Sequence, residues 1–285
     1  MHASPTAFSN NMTVRRIIFS IFLVGLIGLG WGYWAATRDP LVRTATVHIA
    51  DWPKGTPPIK ALLISDIHIS GPDMPPSRMV AIAKKLNGYK ADIVLIAGDL
   101  ISEKRVSTHI YSVPEVIAPL KEFRAPLGVV IAMGNHDHWF DEAGFRAEIP
   151  KAGITLLTNE AVKRGPIVIG GVDDDFTNHA DLPKAYAAMD QLSGPRIILT
   201  HSPDIVPDLP KPVAAVLAGH THCGQALWPW SGKPVKNASR YGSRFQCGDI
   251  NDAGQRVLVT AGLGTSIIWL RYGAPPDAWL ITFGP

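Results

Sequence analysis

Five short motifs gather imidazoles and oxygen donors: Asp66-Ile67-His68, Gly98-Asp99, Gly134-Asn135-His136-Asp137, Thr200-His201 and Gly219-His220-Thr221-His222. Five of the 10 histidines fall in them, so the histidines cluster. On an extended backbone, side chains two apart face the same side. Asp66 with His68, and His220 with His222, could therefore each grip one cation, with Thr221 turned away. Glycine before Asp99, Asn135 and His220 permits a tight departure from a strand and a close approach to a metal or phosphate. Imidazole and carboxylate without thiolate suit Mn²⁺, Fe or Zn²⁺, and the set is too rich in nitrogen for a dedicated Ca²⁺ site. Each motif alone would be an ordinary turn or strand end, since Asn and Asp readily form local turns. Together, and in this order, they point to a metal centre.

These motifs need rigid elements to hold them. Residues 59–65 form a nearly continuous apolar run, as expected of a strand covered on both faces. Residues 92–97, 127–132, 167–169, 197–199 and 213–217 read the same way. Residues 77–86 place Met79, Val80, Ile82, Ala83 and Leu86 at helical spacing, and 115–123 and 145–152 are further helical patterns. Three strand-like pieces close the chain, at 245–250, 256–260 and 278–283. Alternating strands and helices predict an α/β layered fold with mixed sheets. Each motif stands at the carboxyl end of a strand-like run, where side chains from several strands can converge on a ligand.

Composition narrows the classes. With 46% hydrophobic and 18% charged residues the chain is not a disordered polyelectrolyte. Gly 26 and Pro 24 imply many turns, which argues against a coiled coil. A net charge of +3 without a basic run gives no footprint for nucleic acid. Two cysteines exclude a disulfide scaffold and a Cys-based structural zinc site.

Residues 17–36, IIFSIFLVGLIGLGWGYWAA, carry no charge. As a helix they would reach roughly 30 Å, the hydrocarbon thickness of a bilayer. No polar stripe interrupts the run, which argues against a buried helix of a soluble core. Trp31, Tyr33 and Trp34 could form an interfacial belt. Arg15-Arg16 after Thr13 fits a twin-arginine export signal only loosely, and the apolar run is long for a cleaved signal peptide. The expectation is a tail over 1–16, an uncleaved single-pass transmembrane anchor over 17–36, and one domain over 37–285. Arg15 and Arg16 adjoin the span with no acid beside them, whereas Asp39 adjoins Arg38; this favours a short inside tail and an exported domain, periplasmic or extracellular.

The motif order resembles the calcineurin-like metallophosphoesterase superfamily, whose pattern is D-x-H, G-D, G-N-H-D/E, H and G-H-x-H, and the resemblance covers about residues 59–260. It implies a layered α-β-β-α sandwich with two mixed sheets. It also implies two divalent transition-metal ions: Asp66, His68 and His222 on one, Asn135, His201 and His220 on the other, and Asp99 bridging both. A water shared between the ions would attack a phosphodiester, phosphomonoester or pyrophosphate. His136 would contact a phosphoryl oxygen or protonate the leaving oxygen, with Asp137 orienting and charging its ring. Gly219-His-Thr-His-Cys-Gly-Gln225, Tyr241-Gly242 and the tail 262–276 look like one subgroup of membrane-associated or exported bacterial phosphoesterases, some of them UDP-2,3-diacylglucosamine pyrophosphatases of lipid A synthesis. Asp277 stands where that subgroup usually has Glu. Arg271, in the same tail, is a candidate for the substrate phosphate or headgroup, or else a structural arginine.

The expected partners are thus a phosphate-ester substrate, lipid-linked or a nucleotide sugar, and the membrane. A lipid A role conflicts with an exported domain, because UDP-sugar lipids are made on the cytoplasmic side. The competing class is a non-catalytic envelope-associated metal-binding module. His48 and His138 match no motif, and Asp173-Asp174-Asp175 reads as a solvated turn. An exported domain permits a Cys223–Cys247 disulfide, but two cysteines alone do not establish one. Specificity is expected in loops 70–76 and 223–244.

Overall fold

The computed structural model describes residues 6–285, with side chains from residue 12 onward; the first five residues of the expected tail lie outside the described residues. Helix α1 (Thr6–Thr37) contains the apolar run, and from Met12 to Thr37 it is long and apolar enough to cross a membrane. Its lipid-type side chains are exposed, yet its last turns dock on the rest of the chain: Ala36 is buried, and the Tyr272 hydroxyl donates to Gly28 O.

Two six-stranded mixed sheets follow. The first contains β1 (Leu41–His48), β2 (Ile59–Ile64), β3 (Ile93–Ala97), β4 (Val129–Ala132), β5 (Thr155–Leu157) and β12 (Asp277–Gly284), ordered β1-β12-β2-β3-β4-β5. The second contains β6 (Glu160–Arg164), β7 (Ile167–Gly171), β8 (Arg196–Leu199), β9 (Ala215–Ala218), β10 (Gly248–Asp252) and β11 (Gln255–Val259), ordered β10-β11-β9-β8-β7-β6. β2 to β5 are mutually parallel, as are β7, β8, β9 and β11; the antiparallel pairs are β12 with β2, β6 with β7 and β10 with β11.

The period of two along each strand explains the layering. In β3, Ile93, Leu95 and Ala97 enter the core between the sheets, with Ile169, Ile197 and Leu217 from the opposite sheet. Val94 and Ile96 face outward, under α2 (Pro76–Leu86), α3 (Val113–Ile117) and α4 (Asn135–Lys151). On the far side α5 (Leu182–Asp190) covers Val168, Ile198 and Val216 through Ala185, Tyr186 and Met189. The expected α-β-β-α sandwich is what forms. β1, β5, β6 and α5 had no counterpart in the sequence-based pattern. The segment read as helical at 145–152 is the second half of α4, which starts at Asn135 and kinks at Asp141.

Candidate metal centre

Five parallel strands deliver the motifs to one edge of the sandwich. β2, β3 and β4 end just before Asp66, Asp99 and Asn135, while β8 and β9 end just before His201 and His220. The two sheets meet here, where the His220 N–H donates to Asp66 Oδ2 at 3.0 Å; within the first sheet, the Asp66 N–H donates to Gly98 O at 2.9 Å. His68 Nε2 lies 3.0 Å from His222 Nε2 and 3.9 Å from Asp66 Oδ1, and Asp66 Oδ1 is 3.3 Å from His222 Nε2. Asp99 Oδ2 is 3.5 Å from His68 Nε2 and 3.2 Å from His201 Nε2, and His220 Nδ1 is 3.2 Å from His201 Nε2. Asp66, His68, Asp99, Asn135, His201, His220 and His222 are all buried.

The local backbone corrects one expectation. Asp66 and His68 do not converge by alternation along a strand. Both follow the end of β2 with positive φ, 46° and 51°, and Asp99, His220 and His222 share that left-handed region at 54°, 68° and 50°. Such conformations cost non-glycine residues of order 1–3 kcal/mol and persist where the surroundings over-determine them. Thr221 is turned away as expected, its hydroxyl donating to Gln246 O. The glycines act as anticipated. A Cβ on Gly134 would lie 2.6 Å from Asp99 N, and one on Gly219 would collide with Ser65 and Asp66.

The outer contacts prepare the imidazoles. His68 Nδ1 is 3.1 Å from Ile101 O and His201 Nδ1 is 2.8 Å from Ala97 O. A carbonyl can only accept, so each Nδ1 carries a hydrogen and each Nε2 is the atom presented to the cluster. Burial holds His68 and His222 well below the ordinary imidazole range and His220 at about 4, so these rings are neutral donors. Burial also pushes Asp66 up to about 6. Asp99 resists the same push because the charges of His201 and His136 hold it well below the usual carboxylate range. Burial would lower His201, but Asp99 outweighs it and keeps the ring protonated. That proton occupies the electrostatic role a cation would take.

Whether the donors fit metal ions is answered by the atoms left over. Asp66 Oδ1, Asn135 Oδ1 and His220 Nε2 are buried without a hydrogen-bond partner. Each such atom costs about 1–3 kcal/mol, so three in one cluster mark a place for cations. Asp66, His68 and His222 form one group whose donor atoms lie within 4.8 Å of one another, and Asp66, Asp99 and His201 form another. The nitrogen and oxygen set fits divalent transition ions.

His136 and Asp137 part company. The His136 N–H donates to Asp99 Oδ1 at 2.9 Å, and the ring stands edge-on to His68 with centroids 4.8 Å apart. Its Nδ1 is 2.9 Å from both oxygens of Glu103. Burial pulls the ring's pKa down, but Asp99 and Glu103 raise it to about 8. Asp137 does not orient this ring. Its carboxylate accepts the N–H groups of Asp99, Leu100 and Gly134 at 3.0, 2.8 and 3.0 Å, tying the β3 and β4 loops together. Glu103, which no motif signalled, is the ring's partner; the only hint was its place four residues after Asp99.

Arg271 is also reassigned. It is fully buried, and its guanidinium donates to the carbonyls of Ala261, Gly264 and Ala274 at 2.7, 2.5 and 3.0 Å. Burial lowers its pKa to about 10. Another Nη2 contact, 3.4 Å from His222 Nδ1, puts it behind the centre. It has no surface from which to meet a substrate.

A cleft of about 540 Å³ opens from the centre, walled by His136, Trp139, Phe176, Val235, Ile267 and Ile268. An equally large depression of about 550 Å³ near Pro53, Lys163 and Ser193 has no carboxylate or imidazole in its lining. Asp173 and Asp174 are buried rather than a solvated turn: Asp174 accepts from Thr177 and Asp173 pairs with His138 at 2.8 Å. His138 and His179 stack with centroids 4.0 Å apart and planes 6° from parallel, so their in-plane lone pairs run side by side rather than converging on an ion. His48 is exposed and meets Pro285 O. Cys223 and Cys247 form a disulfide, clamping the segment directly after His222.

Residues 59–224 match the family model described as calcineurin-like phosphoesterase. The chain is 26% identical to the metallophosphoesterase YkoQ of Bacillus subtilis over 250 residues, covering 85% of this chain and 89% of that protein. It is 29% identical to a metallophosphoesterase of Helicobacter pylori over 277 residues, covering 94% and 71%. A Danio rerio transmembrane protein with metallophosphoesterase domain is 29% identical over 237 residues, with 75% of this chain matching 51% of that one. With the family model spanning more than half of the sequence, the chain belongs to the calcineurin-like phosphoesterases, metal-dependent hydrolases of phosphoesters.

Proposed function

We propose that the chain hydrolyses a phosphodiester, phosphomonoester or pyrophosphate bond using two divalent transition ions, Mn, Fe or Zn. Asp66, His68 and His222 hold one, Asn135, His201 and His220 the other, and Asp99 is shared. The observation that carries this reading is the Asp99 carboxylate, with Oδ2 within 3.5 Å of His68 Nε2 and 3.2 Å of His201 Nε2. Ions held there would supply a water that ionises near neutral pH and positive charge for the phosphoryl oxygens. Glu103 fixes His136 through Nδ1, leaving Nε2 for proton exchange. A ring titrating at about 8 carries the proton that a leaving oxygen needs. Trp139 and Phe176 offer aromatic faces to a bound substrate in the cleft.

The apolar wall of Val235, Ile267 and Ile268 favours a lipid-linked phosphoester, which the membrane helix α1 would concentrate in the same plane as the enzyme. The disulfide supports an exported domain, because disulfides persist in oxidising compartments. It also counts against UDP-2,3-diacylglucosamine, which is made on the other side.

The test is a substrate panel on Mn²⁺-loaded full-length protein: an aryl phosphodiester, alkyl phosphate esters, a pyrophosphate and UDP-2,3-diacylglucosamine. Hydrolysis abolished by chelation is expected. His136→Gln should keep its metal and lose about 10²-fold in turnover, less on a nitrophenyl ester whose leaving group needs little protonation. Metal-replete protein that turns over nothing in the panel would leave a metal-binding module.

A further inference from the structure

The docking of α1 is hard to reconcile with a domain standing clear of the bilayer. Gly28 O accepts from the Tyr272 hydroxyl at 2.9 Å, Gly32 O accepts the Arg271 N–H at 3.0 Å, and Tyr33 stands edge-on to Trp269 at 5.9 Å. The domain therefore grips the helix from Gly28 onward. Between Arg16 and Gly28, residues 17–27 give only about 17 Å of helix at 1.5 Å per residue, against a hydrocarbon layer of about 30 Å. Spanning the layer with those contacts intact requires the gripping surface itself to enter the bilayer.

That surface is built of the residues such entry demands. Leu227 pairs with Pro234 to make a hairpin, fixed to the gripping loop because the Leu227 N–H donates to Tyr272 O at 2.9 Å. Its tip shows Trp228 and Trp230, stacked 4.9 Å apart, with Trp230 77% exposed. Beside it the gripping loop exposes Ile267 at 60% and Ile268 at 41%, and Gln225 Nε2 ties the two segments together by donating to Ile268 O and Leu270 O. On the helix, Trp31 and Trp34 are also exposed. Neither 226–238 nor 266–276 contains an acid, while Lys233 and Lys236 are exposed at the rim, where anionic headgroups would lie. Large apolar side chains rimmed by lysines on a protein surface mark an interaction face, and tryptophan is favoured at the membrane interface.

We infer that the Trp228–Trp230 hairpin and the Ile267–Ile268 loop form a second membrane contact, immersed in the acyl-headgroup boundary beside α1. Val235, Ile267 and Ile268 also wall the cleft, so its mouth opens at the bilayer surface and a lipid phosphate reaches the centre without leaving the membrane. This rests on α1 spanning the bilayer but not on turnover.

The full chain in phosphatidylcholine vesicles, brominated near the headgroup end of the acyl chains, tests it by tryptophan quenching. In a background with Trp31, Trp34, Trp139 and Trp269 changed to Phe, quenching is expected from the hairpin, and adding Trp228→Phe with Trp230→Phe should abolish it. Trp52 and Trp279 are buried in the core and give no lipid signal. Circular dichroism verifies folding, and Trp230→Asp in the same background, which should reduce the quenching, is a second perturbation at a residue outside the cleft. Equal quenching with and without the hairpin tryptophans overturns the inference. So does absence of quenching from Trp31 in a chain with Trp34, Trp139, Trp228, Trp230 and Trp269 changed to Phe, because α1 would then not span. Neither result depends on hydrolysis, so the phosphoesterase reading stands or falls separately.

Discussion

Glu103→Gln and Asp137→Asn separate two ways of holding His136. In the structure Glu103 contacts the ring and Asp137 contacts only backbone N–H groups. A hydrogen bond to a charged group contributes about 1.5–3 kcal/mol, which is roughly 10- to 150-fold in rate if all of it bears on the proton transfer. Glu103 is partly exposed, so the lower half of that range is expected. Glu103→Gln should lower kcat on an alkyl ester by about ten-fold, less on a nitrophenyl ester, with metal content and Tm unchanged. Asp137→Asn should act differently. The amide oxygen cannot serve three donors as the carboxylate does, so at least one buried N–H is orphaned at about 1–3 kcal/mol. For a domain of this size each kcal/mol moves Tm by about 2–4 °C, so a fall of about 2–12 °C is expected. The assay is kcat on both esters beside a thermal melt. If Asp137→Asn lowers kcat at constant Tm while Glu103→Gln leaves kcat intact, the assignment of Glu103 to His136 fails.

Other outcomes follow from the same geometry. Asp99→Asn should deplete metal at both positions in elemental analysis, because the carboxylate oxygen faces His68 and His201 together; full metal content would remove the shared role. Gly134→Ala puts a Cβ 2.6 Å from Asp99 N, and overpacking of about 1–3 kcal/mol should lower Tm and metal content, while Gly88→Ala, which meets open space, should change neither. Reducing Cys223–Cys247 releases a loop of separation 24, worth about 3 kcal/mol by chain entropy, and should lower Tm in a melt run with and without reductant.

Much of the fold was legible because its central strands are buried on both faces and read as apolar runs. β1 escaped because most of it is exposed, and its Thr44-Ala45-Thr46 stretch carries no apolar signal. α5 is short, and its start rests on Asp181 accepting the Lys184 N–H, a cap indistinguishable in sequence from a loop. The order of the motifs disclosed the metal donors residue by residue. It could not disclose how they converge, since left-handed turns and strand alternation give the same spacing of two. The partner of His136 was illegible because Glu103 and His136 meet only when the loop after β3 crosses the start of α4. Arg271 misled for a related reason: a tail arginine looks like a phosphate ligand until its burial among carbonyls is known.

The position of β12 has a temporal consequence. Residues 277–284 lie between β1 and β2, strands more than two hundred residues earlier, and Asp277 also accepts the Ala261 N–H next to the loop that backs Asp66. Until that strand arrives, β2 has β3 on one side and no partner on the other, and the loop carrying Asp66 and His68 lacks its backing from Gly262. A chain emerging from the ribosome thus carries Asp66, His68, Asp99, Asn135, His201, His220 and His222 before the sheet that backs them is complete. Completion of the first sheet, and with it the support behind Asp66, therefore waits until residues 277–284 are free to pair.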